Sequence, residues 1–135
     1  MTLVELQTLY AEVFATWVRE LDLEVRATTP DSVTLALPVH ARHVHAGGVM
    51  CGQTLMAAAD TALVLAISHQ LGGFRPQTTV QLQTSFLRPV GQDVAEVAVE
   101  ARILKSGRSL VFGEVTLRLP DGQVAAHATS TSALL

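Results

Sequence analysis

The feature that most constrains this chain is the apolar run at residues 49–71, which carries one charge, Asp60, near its middle. Its length approaches what a bilayer crossing needs. An aspartate at mid-bilayer costs roughly 2.5–3.5 kcal/mol on insertion scales, and Gln53 and Thr54 add further polar groups. The run therefore reads as a helix buried in protein, and the rest of the chain must surround it. Gly72-Gly73 supplies the stop.

What surrounds it has the period of strands. Residues 23–26 and 32–37 are strand-like and are separated by a Thr28-Thr29-Pro30-Asp31 turn. After the helix, Val80, Leu82, Thr84 and Phe86 alternate with Gln81, Gln83 and Ser85, which predicts a half-covered strand with those four residues on one face. Strands at about residues 94–104, 110–119 and 124–132 follow, joined by Lys105-Ser106-Gly107-Arg108 and by Pro120-Asp121-Gly122. Ahead of all this, Leu3, Leu6, Tyr10, Val13, Trp17 and Leu21 recur at helical spacing and predict one amphipathic helix. The layout is helix, two strands, buried helix, four strands. One antiparallel sheet curled around one apolar helix satisfies it, an α+β fold in a single domain, 1–135.

Composition narrows the partners. Hydrophobic residues make up 49% against 16% charged, with a mean hydropathy of +0.37. That is too apolar for disorder and predicts more than one subunit, because so small a monomer has little room to hide such surface. A net charge of −3 gives no reason to expect nucleic-acid binding, and the Asp60 argument gives none to expect a membrane span. The lone Cys51 rules out an intrachain disulfide and suits a reducing compartment. No basic region followed by an apolar run opens the chain, since Glu5, Glu12 and Arg19-Glu20 interrupt it, so a cytoplasmic location is expected.

Candidate chemistry starts at Asp60. A carboxylate inside an apolar helix either pairs with a structural cation or does a job. Gly52 follows a Gly-rich loop where the helix begins, and the free N–H groups of a helix start suit an oxyanion; a plain tight turn is the other reading. Eight positions separate Gly52 from Asp60, ~12 Å along a helix, so one chain cannot bring both to one carbonyl. If both act, two subunits must share the site. His40, His43 and His45 crowd one loop, but no cysteine pair or nearby carboxylate completes a metal set, and no metal is expected. Cys51 lacks a visible His/Asn partner for nucleophilic work. Arg88, Lys105 and Arg108 fall at strand ends or turns, either as solvated surface or as grips for phosphates.

The text Gly47-Gly48-Val49-Met50-Cys51-Gly52-Gln53-Thr54-Leu55-Met56-Ala57-Ala58-Ala59-Asp60-Thr61-Ala62, with Thr84-Ser85-Phe86-Leu87-Arg88-Pro89, resembles the phenylacetate-degradation (PaaI-like) branch of the hotdog-fold acyl-CoA thioesterases. Gly107-Arg108, Asp121-Gly122 and Ala125-Ala126-His127-Ala128 fit the same pattern. The resemblance implies a hotdog fold and hydrolysis of acyl-CoA or aryl-CoA thioesters. It implies Asp60 as nucleophile or general base and the Gly52 N–H, from the opposite subunit, as oxyanion donor. His45, fifteen positions before Asp60, takes the place of an Asn or Gln that orients substrate or water, and Thr79 (or Thr78) that of an assisting hydroxyl. Many relatives carry His-Gly-Gly where this chain has Cys51-Gly52-Gln53. Cys51, Gln53, Val64, Arg88, Lys105 and Arg108 are the expected substrate or CoA contacts, with Leu55, Leu63 and Val64 lining the acyl pocket. CoA is part of the substrate, no separate cofactor is implied, and a homodimer or a dimer of dimers is expected. The alternatives are a non-catalytic acyl-CoA binder on the same fold and a hydratase of CoA esters.

Overall fold

The computed structural model describes residues Met1–Leu135. In chain order the elements are α1 (Leu3–Val13), α2 (Thr16–Arg19), β1 (Glu24–Thr29), β2 (Ser32–Pro38), a short 3-10 turn (Ala41–His43), α3 (Gly52–Leu71), β3 (Gln77–Phe86), β4 (Glu96–Ser106), β5 (Leu110–Arg118) and β6 (Val124–Leu134). The six strands make one antiparallel sheet in the order β1-β2-β4-β5-β6-β3. The sheet curls around α3, and this is the hotdog fold.

Small residues let sheet and helix approach closely. Ala58, Ala59, Ala62 and Ala66 of α3 are fully or almost fully buried. At Gly113 of β5 an added Cβ would stand 2.5 Å from Leu63 Cδ2, so glycine is what allows that leucine to seat in the sheet. Leu63, expected to line an acyl pocket, thereby packs into the core of the chain. The helix hydroxyls are satisfied locally: Thr61 donates to the Ala57 carbonyl and Ser68 to that of Val64, each at 2.8 Å. Gly72, at φ 78°, ends α3 in the left-handed conformation.

Two periodicities break. Thr2 and Glu5 form a capping box on α1, whose Leu6, Leu9 and Tyr10 are buried. The helix then stops, because Phe14 and Ala15 are extended (ψ 151° and 152°). The stripe loses phase there, and Trp17 on α2 ends 62% exposed instead of facing the core. In β3 the register runs Thr79↔Ser132 and then Gln81↔Thr131, leaving Val80 as an unpaired bulge. Val80 is 62% exposed, while Leu82 packs on the core and the Phe86 ring lies on Gly52 of α3, so the predicted face keeps Leu82, Thr84 and Phe86 and loses Val80.

Candidate active site

From Gln53 to Ser68, α3 is buried except along one stripe: Gln53, Met56, Ala57, Asp60 and Val64. Spaced at three and four residues, they form one helix face that the subunit's own sheet leaves incompletely covered. Asp60 is at its centre. No arginine or lysine pairs with it; its polar partner in the chain is Thr79, whose Oγ1 donates to Asp60 Oδ1 at 2.6 Å. Such a bond fixes the carboxylate's orientation and leaves Oδ2 unengaged.

The bulge explains how Thr79 gets there. In an unbroken strand, alternation would put Thr79 on the face opposite Leu82 and Thr84. The extra residue, Val80, shifts the phase by one, so Thr79 and Leu82 both face α3. Thr78, the other candidate hydroxyl, is exposed. Sequence reading missed this device, because the apolar Val80 reads as a core position.

At the start of α3, the Gly52 and Gln53 N–H groups donate to no acceptor in the chain, and the N-cap Cys51 offers no side-chain bond to them. The Cys51 thiol is taken up by Thr54 Oγ1 at 3.0 Å. A cleft of about 370 Å³ opens beside Gly52, walled by Met50, Leu55, Phe86, Arg88 and Val90 among others. The Phe86 ring lies against Gly52: a Cβ there would meet Phe86 Cζ at 3.0 Å. Position 52 is thus restricted by packing as well as by its N–H, a contact that no sequence spacing reveals. Gly52 and Asp60, each tied to β3 (through Phe86 and Thr79), lie toward opposite ends of that strand.

The remaining candidates scatter around this frame. His45 is exposed, and its Nδ1 accepts the Gly47 N–H at 2.9 Å, which leaves Nε2 as the protonated nitrogen. It makes no hydrogen bond to Asp60. His40 Nε2 pairs with Asp22 at 2.8 Å. His43 is held below the usual histidine range by burial first, then by Arg42 and His40. Val64 is on the uncovered stripe, whereas Leu55 reaches the cleft from the core. Arg88 donates to the Val124 carbonyl at 2.8 Å on the Gly52 side. Lys105 and Arg108 are exposed around the β4–β5 turn, at the Thr79 end of the sheet.

Residues 47–126, from the Gly-rich loop through α3 and β3 into β6, match the profile of the thioesterase superfamily. A protein of Thermoplasma acidophilum named "Putative esterase Ta0293" is 24% identical over 115 residues, which span 85% of each chain. Thioesterase HI1161 of Haemophilus influenzae superposes with a TM-score of 0.88 at 24% identity, over 100% of this chain and 91% of its own. The E. coli PaaI protein from the phenylacetic acid degradation operon gives 0.84 at 16% identity, over 98% and 91%. The two superpositions establish likeness of fold, and the profile, which spans well over half of the chain, establishes kinship: this chain belongs to the thioesterase superfamily.

Proposed function

We propose that the chain hydrolyses acyl-CoA or aryl-CoA thioesters to free acid and CoA, at a site that two subunits share. The observation that carries this reading is the uncovered Asp60–Thr79 pair and the unpaired Gly52 N–H, set at opposite ends of one edge strand. Along α3 the two are ~12 Å apart, too far for one carbonyl. β3 has no neighbour on its outer side, so its main chain is available to a second copy. Antiparallel pairing of β3 with its two-fold mate, centred near Leu82 and Gln83, brings Gly52 of one subunit to the Asp60 of the other. The same pairing covers the Asp60 stripe and makes a dimer, or a dimer of dimers, the functional unit.

In that site the thioester carbonyl oxygen accepts the Gly52 N–H, and the positive end of the α3 dipole favours the charge that develops there. Asp60 either attacks the carbonyl carbon through Oδ2, giving a mixed anhydride that water then cleaves to release the acid and restore the carboxylate, or takes the proton of a water that attacks directly. The C–S bond breaks and CoA leaves as its thiolate, which is then protonated. Thr79 holds Asp60 Oδ1 throughout. His45 Nε2–H would serve as a donor for substrate, with Cys51 and Gln53 as further contacts and Val64 on the acyl side. Arg88 of one subunit and Lys105 and Arg108 of the other fall on the same side of the assembled site, where cations suit the phosphates of CoA. CoA enters as part of the substrate, with no further cofactor. The Gly47–Gly52 text and the likeness to PaaI support a place in the phenylacetate-degradation branch.

The test is thiol release from a panel of acyl- and aryl-CoA esters by wild type and Asp60→Asn. Hydrolysis that collapses by two orders of magnitude or more in the variant, with dimer and ligand binding intact, is expected. Tight acyl-CoA binding by both proteins without release from any ester would leave a binding protein instead.

A further inference from the structure

We propose that Phe86 is the specificity-determining residue, a ring that limits the size of acyl group presented to the Gly52 N–H. The inference rests on the thioesterase reading and deepens it. Aromatic side chains are scarce here, 4% of the chain, and this one is 51% exposed at the end of β3. Its ring is not loose. It packs against Gly52, near enough that a Cβ would meet Cζ at 3.0 Å and Cε1 at 3.1 Å, and it forms a wall of the cleft.

Three of the other apolar walls are fixed, whereas Val49 is half-buried and Leu87 is exposed. Met50, Leu55 and Val90 are at most 4% exposed and belong to the core. The Met50 N–H is held by the Val90 carbonyl at 2.8 Å. The three atoms nearest a Cβ at Gly52 all belong to Phe86, so among the apolar groups lining the cleft its ring is the one that both touches Gly52 and can be removed without opening a hole in the core. An acyl group whose carbonyl oxygen sits on the Gly52 N–H has its first carbons against that ring. Compact or unbranched groups fit beside it; bulky or branched ones meet it.

The experiment measures kcat/KM for acetyl-, butyryl-, octanoyl- and benzoyl-CoA with wild type, Phe86→Ala and Phe86→Trp. Phe86→Ala is expected to raise the ratio of the bulkiest to the smallest ester about tenfold or more, and Phe86→Trp to lower it. Gly52→Ala adds a second arm. Its added methyl presses on the ring, so its penalty should shrink at least about fivefold when Phe86→Ala is also present. Equal scaling of all four esters in both Phe86 variants would overturn the inference and make Phe86 a wall for the common thiol portion. An undiminished Gly52→Ala penalty beside Phe86→Ala would overturn it too. Absence of turnover of every ester by the wild type would sink the thioesterase reading itself, and this inference with it.

Discussion

The two edges of the sheet are finished in opposite ways. β1 is short and carries Glu24 and Arg26; Arg26 bridges Glu24 at 3.3 Å and Glu96 at 3.0 Å. The chain also supplies a cover for it: Gln7 of α1 accepts the Val25 N–H at 2.8 Å and donates to the Leu23 carbonyl at 3.0 Å. β3 is ten residues long, has no charge and no proline, and nothing in the chain lies along its outer side. Charges and side-chain caps keep strands from pairing with strangers. The fold thus blunts one edge and leaves the other bare, with the candidate chemistry strung along the bare one, and that is the edge the proposed dimer would use.

Charging the bare edge should break this asymmetry with the largest effect. Gln81→Lys/Gln83→Lys sets like charges across a two-fold strand pair. We expect monomers by sedimentation velocity, an unchanged far-UV spectrum and at least a hundredfold loss of thioester hydrolysis, since neither subunit holds a whole site. A dimer with full activity would move the shared site elsewhere. Next comes Thr79→Val, which removes the 2.6 Å bond to Asp60 but leaves the strand edge alone. It should lower kcat about 10–100-fold with the dimer intact; unchanged kcat would reduce that bond to a structural one.

The mirror experiment is on the covered edge. Gln7→Ala removes the acceptor of Val25 N–H and the donor to Leu23 O, and leaving both partly buried groups unpaired should cost about 1–3 kcal/mol in denaturant unfolding. Assembly and kcat should not change. Loss of the dimer here would mean that β1, not β3, carries the contact.

What could be read from sequence follows a physical line. The α3 run, its Gly72 stop and the succession of strands along the second half were legible, because burial of one uninterrupted face writes a period into the text. The hotdog fold came with the motif around Asp60. Trp17 and Val80 misled for one shared reason: each is apolar and in phase with a pattern, and in each case an irregularity of the backbone resets the phase nearby. The break at Phe14–Ala15 has no proline or glycine to announce it, and the Val80 bulge has none either. Thr79 could be nominated only by resemblance, since alternation alone turns it away from Asp60. The Phe86–Gly52 contact joins residues 34 positions apart, beyond any local rule.

The smallest expected effect belongs to the covered side, at His43. Its turn ties the end of β2 to the segment before β1 through His40 and Asp22, and the His43 carbonyl accepts the Cys51 N–H at 2.8 Å at the start of α3. Burial, Arg42 and His40 all lower the affinity of this ring for a proton, with Asp22 opposing them, and its Nδ1 is buried without a partner. The folded chain therefore favours neutral His43. As pH falls below about 6.5 the unfolded chain takes up the proton first, so stability is complete above that value and declines beneath it. One proton sets a ceiling of about 1.4 kcal/mol per pH unit, and the solvent that reaches the open part of this half-buried ring reduces it further. His43→Gln should flatten the decline of unfolding free energy between pH 6.5 and 5 while sedimentation of the dimer stays the same. If the slope is unchanged, the acid sensitivity has another source; if the dimer dissociates with the same profile, the two edges are coupled and their separation of duties fails.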